Sequence, residues 1–163
     1  MASRSGIVVR TGDLLESDAQ TLVNTVNCVG VMGKGIALDF KRAFPMMFED
    51  YVKRCAAGEV RLGEPYVWRP VDVQRGIPDC APTGERWVLN FPTKGHWRAR
   101  SRLSDIADGL DWLEAHCEEW GIESLAVPAL GCQNGGLRWD DVRPLLVERL
   151  SRLGIPVELY APR

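Results

Sequence analysis

The chain is poor in the residues that metal centres, disulfide scaffolds and membrane spans require. Histidine occurs only at His96 and His116, and the five cysteines (Cys28, Cys55, Cys80, Cys117, Cys132) never form a C-x-x-C pair. An odd cysteine count with so little histidine argues against both a disulfide framework and a zinc site, so neither metal nor cofactor is expected. No apolar run approaches the roughly 20 residues of a membrane-spanning helix. The start, Met1-Ala2-Ser3-Arg4-Ser5-Gly6, lacks the apolar stretch of a signal peptide. The expected setting is the reducing cytoplasm, with no membrane partner. A formal net charge of −2 gives no global attraction for nucleic acid, so any such contact must come from a local patch. With 163 residues, 45% of them hydrophobic, the chain can bury one sizeable core but hardly two. A single domain over residues 1–163 is expected, without repeat, linker or low-complexity tract.

What is present is an alternation of strands and helices. Ile7 to Arg10 and Thr21 to Val26 read as strands. Gly35 to Phe44 reads as a helix with Ile36, Phe40 and Phe44 on one stripe, and Pro45 ends it. Pro45 can also open the next helix, which runs toward Ala57 before Gly58. Pro65 to Trp68 and Arg86 to Phe91 read as paired strands around a variable loop. After Ser101, Leu103, Ile106, Leu110, Leu113, Cys117 and Trp120 recur at helical steps and Gly121 supplies the stop, which predicts a core-facing helix. Ser124 to Ala129 is expected as a buried strand, Asp140 to Leu153 as the last helix and Pro156 to Tyr160 as the last strand. This alternation predicts an α/β fold with a mixed sheet covered on both faces.

The most informative segment is Val23-Asn24-Thr25-Val26-Asn27-Cys28-Val29-Gly30-Val31-Met32-Gly33-Lys34-Gly35-Ile36-Ala37. A strand ends in two asparagines, passes a loop with three glycines and enters a helix. Glycine lets backbone approach a ligand closely. A helix N-terminus offers unpaired N–H groups and a positive dipole end to a phosphate. The asparagines add neutral donors and acceptors suited to sugar hydroxyls. A Walker A loop is excluded because Gly33-Lys34 is followed by Gly35 rather than Ser or Thr. The dinucleotide fingerprint fails because Leu38 stands where its third glycine belongs. The competing reading is a plain strand–helix turn.

A second glycine loop, Gly131-Cys132-Gln133-Asn134-Gly135-Gly136, follows the Ser124–Ala129 strand. The two loops should meet at the strand ends, where open α/β sheets bind ligands. Gly12-Asp13-Leu14-Leu15, the Val23–Asn27 strand end, the Gly30–Gly35 loop and the Pro128–Gly136 loop together resemble the macrodomain family, the ADP-ribose-binding three-layer α/β/α fold. Order and spacing agree over nearly the whole chain. Adding Asn90-Phe91-Pro92-Thr93-Lys94 and His96-Trp97-Arg98, the chain is similar to the DarG group of macrodomain antitoxins. That group removes ADP-ribose from DNA after a DarT toxin has attached it.

The resemblance implies roles at matching positions. Asp13 would accept the adenine amino group, with Leu14 beside it, although Asp13 also reads as a cap for a short helix. Asn27 would face the distal ribose, while Asn24 holds the loop or joins the ribose contact. Gly33, Gly35, Ile36 and Ala37 would present backbone to ribose and diphosphate. Gly131, Cys132, Gln133, Asn134, Gly135 and Gly136 would close over the diphosphate from the other side. Thr93 would line the pocket, and Tyr160 would flank adenine.

Lys94 is the implied catalytic residue, because a lysine at this place in related glycohydrolases attacks the ribose C1″. That chemistry needs a neutral amine, and so burial or a cationic neighbour that depresses the pKa. Relatives pair this lysine with an aspartate where this chain has Gly135. Asp140 and Asp141 read instead as first-turn helix acids. His96 could move a proton but reads better as a packing residue, and Lys34 as a solvated residue or phosphate neighbour.

Lys94, Arg98, Arg100 and Arg102 form the basic cluster of the chain, with Trp97 among them. His96, Trp97, Arg98 and Arg100 are therefore candidate contacts to single-stranded DNA, through phosphates and base stacking. The implied function is a glycohydrolase that removes mono-ADP-ribose from bases of single-stranded DNA, with thymine the expected base, as the antitoxin to a cognate DarT-like toxin. The toxin would be engaged mainly through a further region outside these residues, and a monomer is expected. The alternatives are a hydrolase of ADP-ribosylated protein or ADP-ribose 1″-phosphate, and a non-catalytic ADP-ribose reader.

Overall fold

The computed structural model describes residues 6–70 and 86–162. Cys80, the segment Met1 to Ser5 and residues 71–85 of the loop expected between the paired strands lie outside the described residues. Among the described residues six strands form one sheet: β1 (Gly6–Arg10), β2 (Thr21–Val26), β3 (Tyr66–Trp68), β4 (Trp87–Pro92), β5 (Leu125–Val127) and β6 (Pro156–Tyr160), in the order β1-β6-β5-β2-β4-β3. Every neighbouring pair is parallel except β3–β4, which is antiparallel, so the sheet is mixed as expected.

The helices are α1 (Gly35–Ala43), α2 (Pro45–Ala56), α3 (Leu103–Trp120) and α4 (Trp139–Leu150). Strand alternation sends successive side chains to opposite faces. Val23, Leu89, Phe91, Leu125, Val127 and Leu159 pack with Ile106, Leu110 and Leu113 of α3 and Val142 and Leu146 of α4. Leu22, Val26, Val88, Ala126 and Tyr160 pack on the other face with Phe40, Met47 and Tyr51 of α1 and α2. Burial on both faces is why the central strands carry near-continuous apolar runs.

Most boundaries shift by one residue at an end from the sequence-based expectation, and the largest differences are at β5 and the last helix. β5 stops at Val127, short of Ala129, because Pro128 has no N–H to continue a ladder. The last α-helix ends at Leu150, and the expected final turn narrows to a 3-10 turn at Ser151–Leu153 before Gly154 at φ 72°.

The order β5-β2-β4 determines where a ligand can sit. These parallel neighbours release their C-terminal ends side by side: β2 into Asn27, β4 into Thr93 and Lys94, β5 into Pro128 and the second glycine loop. Gly109 of α3 supports the middle of this row. A Cβ there would stand 2.7 Å from a ring carbon of Phe91, so glycine lets the helix lie directly on the strand that leads to Lys94.

Candidate functional site

Asn27, at the end of β2, shapes the first loop through its side chain. Its Oδ1 accepts from the backbone N–H groups of Val29 (3.0 Å) and Val31 (3.4 Å), and its Nδ2 donates to the Val31 carbonyl at 2.8 Å. The buried Tyr51 hydroxyl of α2 donates to the same Oδ1 at 2.8 Å, with the Asn27 carbonyl also in reach at 3.0 Å. Burial pushes the Tyr51 phenol far above its ordinary range, so it stays a donor.

Asn24 lies one layer deeper. In register with Asn90 across β2–β4, it donates to Asn90 Oδ1 at 3.1 Å, and Asn90 donates in turn to the Tyr66 hydroxyl at 3.1 Å. The loop-holding role falls on Asn27, and Asn24 ties the strands beneath it.

Past Gly33 the chain turns into α1 with Lys34 at the N-cap position and no side-chain cap. The first N–H groups of a helix have no intrahelical partner. Gly35, Ile36 and Ala37 carry them here and line the cleft, an arrangement whose chemistry suits an anion. Gly35 has φ +60°, a conformation that disfavours any side chain.

The second loop is held by close packing. Gly131 and Gly136 have φ +78° and +84°, and a Cβ on Gly131 would stand 2.6 Å from Leu137 Cδ1. Gly135 is pressed against Ser101, whose N–H donates to the Gly135 carbonyl at 2.9 Å. The Arg100 guanidinium lies along Gly136, so a Cβ there would stand 2.9 Å from Nη2. Between the glycines, Gln133 adopts φ 59°, a strained conformation for a residue with a side chain.

The loops enclose a cleft in two joined lobes. The inner lobe, about 230 Å³, reaches from Gly12, Leu14 and Tyr160 to Gly35, Ile36, Ala37, Gly131, Cys132, Gln133, Asn134 and Gly135. The outer lobe, about 370 Å³, is lined by Asn27, Val31, Gly33 and Trp97 among others. Thr93 and Lys94 border both lobes, as do Thr25, Lys34, Ala37 and Asn134.

Lys94 therefore stands at the junction. Its Nζ donates to the carbonyls of Trp97 (3.2 Å) and Asn134 (3.3 Å), which tie it to both surrounding segments. Desolvation by burial, and then the positive charge of Lys34, hold its pKa below the ordinary lysine value. Its hydrogen-bond partners among the described residues are carbonyls rather than carboxylates, in keeping with glycine at position 135. The other nucleophiles nearby are disfavoured. Burial pushes the Cys132 thiol up, and burial followed by the neighbouring Cys55 pushes Cys28 up to about 11.

Several expected site residues lie elsewhere. Asp13 caps the 3-10 turn Leu14–Glu16, accepting from Leu15 N–H at 3.0 Å, and is absent from the lining although Gly12 and Leu14 belong to it. Asn24 is fully buried, and Gly136 faces Arg100. His96, Arg98 and Arg100, expected as DNA contacts rather than pocket residues, stand exposed outside the cleft. The Arg98 guanidinium lies 4.7 Å over the Trp97 ring, and the His96 and Trp97 rings are 5.2 Å apart. Asp140 and Asp141, expected as first-turn helix acids and not as site residues, do lie in the first turn of α4.

Sequence reasoning missed Thr25, Asp39, Pro128 and Ala161 in the lining and Tyr51 behind it. Thr25 alternates with the inward-facing strand residues, a signal that was available. Tyr51 reads as an ordinary apolar helix position.

Comparisons with known proteins agree with this architecture. A family model described as Macro domain matches residues 23–146. The DNA ADP-ribosyl glycohydrolase of Mycobacterium tuberculosis is 48% identical over 157 residues, which cover 96% of this chain and 42% of that protein. The chain thus spans about two fifths of the length of the curated relatives it matches. A solved structure, the macrodomain of Mycobacterium tuberculosis DarG, superposes with a TM-score of 0.85 at 46% identity, covering 98% of this chain and 99% of that one. Thermosipho africanus DarTG in complex with ADP-ribose gives a TM-score of 0.85 at 39% identity, covering 96% of this chain and 42% of that one.

Proposed function

The chain belongs to the macrodomain family, and from that premise we propose that it hydrolyses the bond between mono-ADP-ribose and a base of single-stranded DNA. In this reading it works in the cytoplasm as the antitoxin to a DarT-like toxin. Curated relatives bearing the name DNA ADP-ribosyl glycohydrolase support it, at 46–48% identity. The observation that carries it is the position of Lys94, a lysine with a lowered pKa at the junction of the two lobes.

ADP-ribose lies with adenine between Leu14 and Tyr160, the Asp13 carboxylate at the rim beside its amino group. The diphosphate meets the N–H groups of Gly35, Ile36 and Ala37 on one side and the Cys132–Gly135 loop on the other. The distal ribose sits by Asn27, Gly33 and Thr93, with C1″ at Lys94. Lys94 acts at C1″ as the neutral amine, either as nucleophile or as the group that moves the proton. The C1″–base bond breaks, the base leaves with a proton, and water supplies the hydroxyl of the released ADP-ribose. Borohydride trapping of an imine distinguishes the two roles. No metal has a part, and the protein acts as a monomer.

A group whose neutral form reacts gains activity as pH rises through its pKa, and burial has lowered that pKa in Lys94. Activity is therefore expected to rise with pH below the ordinary lysine range. The test is to incubate the protein with ADP-ribosylated single-stranded DNA, ADP-ribosylated protein and ADP-ribose 1″-phosphate side by side. Preferred turnover of the DNA substrate is expected. Preference for either other substrate assigns the site to that chemistry, and no turnover of any assigns it to a reader.

A further inference from the structure

The outer lobe is larger than the inner one, about 370 Å³ against about 230 Å³, and a pentose fills only part of it. Its buried lining includes the polar side chains of Asn27 and Thr93. Its outer walls are apolar, Val31 from the first loop and Trp97 from the segment after Lys94. Both stay uncovered, Val31 at 40% and Trp97 at 44% exposure. A large apolar side chain left open at the mouth of a polar cleft marks a place where something else packs.

Neither wall is loose. The Asn27 side chain bonds the Val31 backbone at both its N–H and its carbonyl. The Trp97 carbonyl accepts from Lys94 Nζ at 3.2 Å, and its ring carries the Arg98 guanidinium at 4.7 Å. The backbone under each wall is thus tied down, that of Val31 to Asn27 and that of Trp97 to Lys94.

We propose that this outer wall is the subsite for the leaving group, and that its occupant is an unpaired nucleobase packed against Val31 and Trp97. The proposal rests on the function given above, because it takes C1″ to lie at Lys94. The distal ribose joins the diphosphate through C5″ and the leaving group through C1″, on opposite sides of the sugar ring. With the diphosphate in the inner lobe, the leaving group must project into the outer one. A flat, neutral base gains contact with an indole and an isopropyl group. A 1″-phosphate or a carboxylate side chain would have to surrender hydration to apolar walls. A base still paired in a duplex cannot reach between the two loops, so the subsite also selects for single strands. Arg98, over the indole, puts a cation at the rim where the neighbouring phosphates pass.

The test compares wild type, Trp97→Ala, Trp97→Phe and Val31→Ala on a single-stranded oligonucleotide carrying one ADP-ribosylated thymine, with free ADP-ribose as control. Trp97→Ala is expected to raise KM for the oligonucleotide roughly tenfold while the Kd for ADP-ribose moves less than about twofold. Val31→Ala should give a smaller rise, and Trp97→Phe should keep most of the affinity. An unchanged KM in both alanine variants, or an equal loss for ADP-ribose, overturns the subsite. If wild type does not hydrolyse the oligonucleotide, the proposed function fails and binding decides the subsite. Trp97-dependent affinity in excess of that for ADP-ribose supports it, and no excess overturns it.

Discussion

The first glycine loop is held by a side chain that is present, the second by side chains that are missing. In the first, Asn27 gathers Val29, Val31 and Tyr51 onto one amide, and Gly30 and Gly33 stand in relatively open space, while a Cβ on Gly35 would lie closer, 3.1 Å from Asn134 Nδ2. The nearest atom a Cβ on Gly33 would meet is Val31 Cγ1 at 3.6 Å. In the second, Gly131, Gly135 and Gly136 are pressed against Leu137, Ser101 and Arg100, and any Cβ would collide with the chain itself. Both loops read alike in composition. The difference teaches that glycine leaves room for a ligand in one loop and for the protein in the other.

The largest effects should come from separating these two uses. Gly33→Glu puts a bulky carboxylate into the outer lobe, where the distal ribose is proposed to sit, two residues before the N–H groups proposed to meet the diphosphate. It should reduce ADP-ribose affinity by more than about a hundredfold with little change in Tm. Gly135→Ala should behave oppositely. Overpacking against Ser101 should cost about 1–3 kcal/mol of stability, read as a Tm several degrees lower, with a secondary loss of affinity. Calorimetry and thermal unfolding on the same two variants check both. A destabilised Gly33→Glu that still binds, or a stable Gly135→Ala, would erase the contrast.

A smaller effect sharpens it. Tyr51→Phe removes one of three donors to Asn27 Oδ1 and leaves the two within the loop. The expected loss is about 1 kcal/mol of stability, with a several-fold fall in kcat/KM and little change in ADP-ribose affinity. Steady-state kinetics beside a binding titration reads this division. Wild-type kinetics would show that the intraloop bonds suffice.

How far the sequence revealed this design depends on the range of the interaction. Local chemistry was readable: β2 and β6 have the expected bounds, Gly121 ends α3 at φ 80°, and Pro45 opens α2. Pro128 shortening β5 was readable too, and was overlooked. Long-range pairing was not readable. The Asn24–Asn90 bond depends on strand register, and the pressure of Ser101 on Gly135 brings together residues far apart in the chain. The loop-holding role expected of Asn24 falls instead on Asn27, partly for this reason: register turns Asn24 toward Asn90, while Asn27 takes the loop N–H groups and the Tyr51 hydroxyl from α2. Lys94 was found through resemblance and not through pattern. Its partners are backbone carbonyls, which leave no signature in a sequence.

The central claim is that Lys94 acts on the bond being broken rather than on the ground-state grip of ADP-ribose. Lys94→Ala, assayed on ADP-ribosylated single-stranded DNA and titrated with free ADP-ribose, tests it most directly. A group that works mainly in the transition state lowers turnover far more than binding. The expected result is loss of turnover by at least about a thousandfold with ADP-ribose affinity within severalfold of wild type. Wild-type turnover in Lys94→Ala would remove the lysine from the reaction and contradict the account.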